Sequence, residues 1–139
     1  MTERKTNFTI IEKLEHGKNA EEMTKVVVRL LTAYIKHVHT ITGDNGTEFA
    51  DPQNIAKLLK TSFFFTHPYS SWEKGAVENG NKLVRQYIPK KTNFGTINDQ
   101  QIKQIQYKIN NRPRKKLNFY SPKELFFLYL KKEIVALSG

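Results

Sequence analysis

Two carboxylates stand in settings unusual for surface acids. Asp44 lies in Thr42-Gly43-Asp44-Asn45-Gly46-Thr47-Glu48-Phe49, where a short apolar segment breaks into a Gly-rich turn. Glu78 lies in Trp72-Glu73-Lys74-Gly75-Ala76-Val77-Glu78-Asn79, with thirty-three residues between it and Asp44. Carboxylates delivered from a strand end and a helix can hold divalent metal ions for phosphodiester chemistry. Asp44 also reads simply as a turn residue, since Asp-Asn-Gly is strong turn chemistry. Glu78 alone reads as an exposed helix charge with an i, i+4 partner in Lys82. Its surroundings are odd for a merely solvated helix. Asn79, Asn81, Lys82 and Arg85 crowd the same two turns, and Glu78, Lys82 and Arg85 share a face. Cations and amides around a carboxylate can present metal and phosphate binding side by side. Glu48 and Asp51, the nearby acids, read as solvated or capping.

A second cluster, Asn110-Asn111-Arg112-Pro113-Arg114-Lys115-Lys116-Leu117, puts Arg112, Arg114, Lys115 and Lys116 within five residues. It is either a solvated charge run or a phosphate-contacting segment giving salt-sensitive, sequence-independent affinity. The net charge of +10 follows the same division. Residues 1–81 hold ten Lys/Arg and ten Asp/Glu, whereas residues 82–139 hold thirteen and three. A basic half beside an acid-bearing neutral half suggests a polyanion held against an acidic site. His67, Tyr69 and Trp72 precede Glu78 and could stack on unpaired bases or anchor a loop. The four histidines, His16, His37, His39 and His67, show no zinc-ligand spacing. Cysteine is absent, which excludes disulfides and thiolate metal sites and suits a cytoplasmic setting. No run of about 18 apolar residues offers a membrane span.

The elements that must position these residues alternate. Phe8 to Leu14 reads as a strand, Val38 to Thr42 as a second, and Ser62 to Thr66 as a third, apolar enough for burial on both faces. Asn19 with Glu22 reads as a capping box opening a helix whose stripe is Met23, Val26, Val27, Leu30, Leu31 and Tyr34. Asp51-Pro52 opens a short helix through Ile55, Leu58 and Leu59. The Glu78 helix runs from about residue 75 to Tyr87, before Pro89. Asn98 with Gln101 caps a helix bearing Ile102, Ile105 and Ile109. Ser121-Pro122-Lys123-Glu124 opens a last one. Strands alternating with helices indicate a single mixed α/β domain over residues 1–139, with residues 82–132 as its basic half.

Taken together, the Glu3-Arg4-Lys5-Thr6 turn, the Asp44 segment, His67-Pro68-Tyr69-Ser70-Ser71-Trp72-Glu73-Lys74-Gly75, the run from Glu78 to Lys90 and the Asn110 to Leu117 cluster resemble a known catalytic core. The resemblance is to DDE transposases and retroviral-type integrases, most closely the insertion sequence 30 family of bacterial transposases, including its Asp-to-Glu spacing. It implies a ribonuclease-H-like mixed sheet flanked by helices. It also implies an acidic triad binding two Mg²⁺ or Mn²⁺ ions for DNA strand cleavage and strand transfer without a covalent enzyme–DNA intermediate. Asp44 would be the second acid and Glu78 the third. Lys82 and Arg85 would position phosphates near the scissile strand, and Arg112, Arg114, Lys115 and Lys116 would contact the backbone further away.

The first Asp of that pattern belongs on a strand preceding the Glu3-Arg4-Lys5 turn, so the resemblance implies a core lacking its first strand at the N-terminus. The expectations are then little or no cleavage by the chain alone, weak nonspecific binding of double-stranded DNA through residues 82–132, and assembly as a homo-oligomer or with a full-length transposase. The competing expectation is a non-catalytic DNA-binding or transposase-interacting fragment, and a plain nuclease is a third.

Overall fold

Three strands are expected from the apolar pattern, and two form. In a computed structural model of the chain, residues 1–67 and 71–138 are described, apart from the side chains of 71–74 and 134–138. Among the described residues the sheet consists of β1 (Thr40–Gly43) and β2 (Ser62–Phe65), which run parallel with Thr40 opposite Ser62 and Gly43 opposite Phe65. The helices are α1 (Ala20–Thr32), α2 (Pro52–Leu59), α3 (Ser71–Tyr87), α4 (Asp99–Asn111) and α5 (Pro122–Ser138), with single 3-10 turns between several of them. The result is a mixed α/β chain with a small sheet and flanking helices. It divides into two compact units, Leu14–Glu73 and Met1–Lys13 with Lys74–Gly139.

In the Leu14–Glu73 unit, Asn19 Oδ1 accepts the Glu22 N–H at 2.8 Å and starts α1. Asp51 does the same for α2 through the Asn54 N–H at 3.3 Å. Ile55 and Leu59 of α2 are fully buried against Val27 of α1, with Met23, Val28, Leu31, Ile41, Phe49 and Phe63 packed around them. Full burial of side chains of this size is worth about 1.5–3 kcal/mol each. The buried arc of α1 centres on Val27 and takes in Val28, so it is turned slightly from the expected stripe. Gly43, the last residue of β1, lets the Phe63 ring come close, since a Cβ there would sit 2.8 Å from Phe63 Cζ. Burial of β2 on both faces is corrected: Phe64 is 54% exposed and Phe65 40%. Among the described residues a single strand lies beside β2, which leaves those rings exposed.

In the other unit the expected strand over Phe8 to Leu14 is also corrected. It reduces to one antiparallel bridge, Thr2 with Thr9, flanked by Glu3 N–H to Phe8 O and Ile10 N–H to Met1 O, both 2.8 Å. The Glu3 carboxylate closes the turn by accepting the N–H groups of Lys5 and Thr6 at 2.8 and 2.7 Å. Helix side chains replace a neighbouring strand on the other edge. Asn110 Oδ1 accepts the Thr9 N–H at 2.9 Å, its Nδ2 donates to Thr9 O at 2.7 Å, and Gln106 Oε1 accepts the Ile11 N–H at 2.8 Å. Phe8 stacks on Phe126 of α5 with ring centroids 4.3 Å apart, and Ile88, Ile102, Ile109 and Leu117 are buried in the same unit. Gly80 lets this hairpin lie against α3, since a Cβ there would be 2.8 Å from Thr2 Oγ1.

Candidate functional site

Asp44 follows the last residue of β1, at the carboxyl end of the parallel pair, where Gly43 O accepts the Thr66 N–H at 2.9 Å. Its side chain is exposed, and Oδ1 accepts a long contact of 3.4 Å from the Gly46 N–H. That is an Asx-type turn with the carboxylate left facing solvent. Of the neighbouring acids, Asp51 is the α2 cap described above. Glu48 is tucked in, its side chain 16% exposed and 3.7 Å from Lys18 Nζ.

Glu78, Lys82 and Arg85 all lie on α3 and are all exposed. Gly80 occupies the buried side of the helix between them, so packing against the hairpin fixes which side carries the charges. Among the described residues Glu78 makes no ion pair, so the expected i, i+4 bridge to Lys82 does not form. Exposed pairs of this kind gain little for the side-chain entropy they cost.

Asp44 and Glu78 belong to different compact units, and neither unit alone contains both. Among the described residues no three His, Asp or Glu side chains gather as a metal site. A divalent ion taking oxygen ligands wants several carboxylates together. The acids within either unit therefore do not fit such an ion by themselves, although hard oxygen donors are the right chemical type.

The second basic cluster separates into distinct roles. Arg112 caps α4 and is exposed, as are Lys115 and Lys116 in the 3-10 turn Lys115–Leu117. Arg114 points inward instead. Its Nη2 donates to Ile109 O at 3.3 Å, and Nε is buried without a hydrogen-bond partner among the described residues. Burial first, and the nearby Arg112 charge second, lower its pKa from the ordinary arginine value. Its backbone ties the loop, since Arg114 N–H donates to Tyr120 O and Arg114 O accepts from Leu117 and Phe119. The anchoring amides of Asn110 and Gln106 were not singled out by sequence reasoning; a polar side chain inside an amphipathic helix carries no mark of the backbone it will meet. Tyr69 and the Trp72 side chain lie outside the described residues, and His67 is exposed.

All 139 residues align with the transposase for insertion sequence element IS4351 of Bacteroides fragilis at 44% identity. A probable transposase for insertion-like sequence element IS1161 of Streptococcus salivarius is 34% identical over 128 residues, 92% of the chain. Transposase InsI for insertion sequence element IS30A of Escherichia coli is 32% identical over 126 residues, 90% of the chain. The chain spans 42%, 36% and 33% of the lengths of these three relatives. No protein-family profile and no solved structure matches it.

Proposed function

The chain belongs to the insertion sequence 30 family of transposases, and from that premise we propose that it is part of a DNA-transposing catalytic core. The observation that carries this reading is the match over the whole chain at 44% identity, which takes in both acid-bearing segments and the basic cluster. In this reading the fold is the mixed α/β core of the ribonuclease-H-like class. Asp44 and Glu78 are two of its acidic ligands for Mg²⁺ or Mn²⁺. When bound, the ions would polarise phosphate oxygens and activate the attacking hydroxyl for strand cleavage and strand transfer. The chain's own contribution is positioning. Lys82 and Arg85 hold phosphates on the face of α3 that carries Glu78, while Arg112, Lys115 and Lys116 hold the duplex backbone by charge. Arg114 keeps that loop in shape from the inside.

By itself the 139-residue chain binds duplex DNA weakly and without sequence preference, and cleaves it little or not at all. Fluorescence anisotropy with a labelled duplex over a salt series tests this. The expected result is binding whose logarithm falls linearly with the logarithm of salt. Absence of binding at low salt refutes the DNA reading, and Mn²⁺-dependent cleavage lost in Asp44→Ala refutes the inactivity.

A second reading, a non-catalytic fragment that interferes with a longer transposase or its oligomer, is favoured by the exposed cations Arg112, Lys115 and Lys116, which can hold DNA without the acids. Adding the chain to a transposition reaction of the Bacteroides relative separates the two. Inhibition beyond competition for DNA supports the interfering fragment.

A further inference from the structure

The loop after Arg114 carries an aromatic residue that folding does not explain. Asn118 and Phe119 both adopt left-handed backbone conformations, at φ 52° and 66°. The Tyr120 N–H closes the turn on Leu117 O at 3.1 Å. Two consecutive positive φ values suit Asn-Gly, and a bulky side chain in the second position is a conformational outlier. The usual return for such a cost is burial. Phe119 has almost none, being 71% exposed, and Tyr120 beside it is 52% exposed. The sequence therefore keeps a phenylalanine where glycine would fold more easily and where the ring contributes little to the core. Conformational strain held against folding clusters at binding sites.

The surroundings identify the partner. Around Phe119, Arg112, Lys115, Lys116 and Lys123 are exposed, Arg114 is half-buried, and the first acid to follow is Glu124. Lys115 and Lys116 sit in the 3-10 turn that leads directly into the strained pair, and both are exposed. A projecting aromatic face beside phosphate-binding cations matches a nucleic-acid base that has left its stack, because every base offers a π-face and brings a phosphate with it. An apolar protein partner would not call for this density of positive charge.

We infer that Phe119, with Tyr120 beside it, is a stacking platform for an unpaired or unstacked DNA base, with Lys115 and Lys116 holding the adjoining phosphates. This rests on the reading that the chain binds DNA, and goes beyond backbone contact to a preference for distorted DNA.

The test uses the 139-residue chain, an intact duplex, and the same duplex with a short unpaired gap carrying 2-aminopurine. The expected result is tighter binding of the gapped duplex with quenching of the 2-aminopurine. Phe119→Ala should weaken gapped-duplex binding about tenfold and leave intact-duplex binding unchanged. Phe119→Trp should restore the preference. Phe119→Gly should lose the preference while raising the thermal midpoint, because it relieves the left-handed strain, and this separates a binding role from a folding role. Intact-duplex binding without preference for the gap overturns the platform and leaves the DNA reading standing. No binding to either DNA overturns both. A Phe119→Gly chain that melts lower than the parent, or self-association that Phe119→Ala abolishes and DNA does not affect, assigns the ring to packing or to a second copy and overturns the platform.

Discussion

Asn110 does for Thr9 what a neighbouring strand would do. Its amide accepts from the Thr9 N–H and donates to the Thr9 carbonyl, more than a hundred residues away in sequence, and it is 3% exposed. Replacing it with alanine leaves two buried backbone groups without partners, at about 1–3 kcal/mol for each unsatisfied group. Asn110→Ala is therefore expected to lower the urea midpoint of the Met1–Lys13 and Lys74–Gly139 unit clearly. Asn111→Ala, which removes an exposed bond to Tyr107 O, is expected to change it little. The acids Asp44 and Glu78 are the opposite kind of residue. Both are exposed; Asp44 accepts one long 3.4 Å contact from the Gly46 N–H, and among the described residues Glu78 makes no ion pair. Asp44→Asn and Glu78→Gln should thus leave the melting temperature within about 2 °C of the parent, since surface substitutions away from such features stay within about 0.5 kcal/mol. A large loss of stability would make them structural residues.

At the scale of elements, local chemistry was legible and partnership was not. The Asn98 and Gln101 capping box forms with both bonds in place, the Gln101 N–H on Asn98 Oδ1 at 2.8 Å and the Asn98 N–H on Gln101 Oε1 at 2.9 Å. The last helix starts the same way, with the Glu124 N–H on Ser121 Oγ at 3.2 Å and the Ser121 N–H on Glu124 Oε2 at 2.7 Å. These signals lie within four residues, so the sequence carries them complete. The strand expected over Phe8 to Leu14 did not form, because apolar residues say which face is buried but not what pairs with the edge. Here helix amides took that place. The orientation of Arg114 was invisible for a related reason, since a charge run does not reveal which member the loop folds over.

The Ser121 cap is expected to contribute about 1 kcal/mol, so Ser121→Ala should lower stability by that amount in thermal melts. Glu124 gives the cap a pH dependence. Hydrogen bonds from the Ser121 backbone first, and its hydroxyl second, lower the Glu124 pKa from its ordinary 4.5. A carboxylate held lower in the folded state stabilises fully above that ordinary value, and its contribution is lost as pH falls through the lowered one. Melts followed from neutral pH into acid should accordingly show a smaller acid-induced drop in Glu124→Gln than in the parent.

Over the whole molecule, the charge division read from sequence remains the simplest organising fact. The excess of ten positive charges lies after residue 81, and five of the six basic residues singled out there, all except Arg114, are exposed. Replacing Lys115 and Lys116 with glutamine should weaken duplex binding uniformly across sequences and reduce the salt slope by roughly 2. Arg114→Gln should instead act through stability, since its side chain caps Ile109 O from inside the loop.

The most direct measurement of the central claim replaces the matching segment of the Bacteroides fragilis transposase with this chain and follows excision and insertion of its element. The chimera is expected to transpose, and Asp44→Asn and, separately, Glu78→Gln are expected to reduce transposition to background with DNA binding retained. A chimera whose transposition survives either substitution would contradict the assignment of these two acids to the catalytic core.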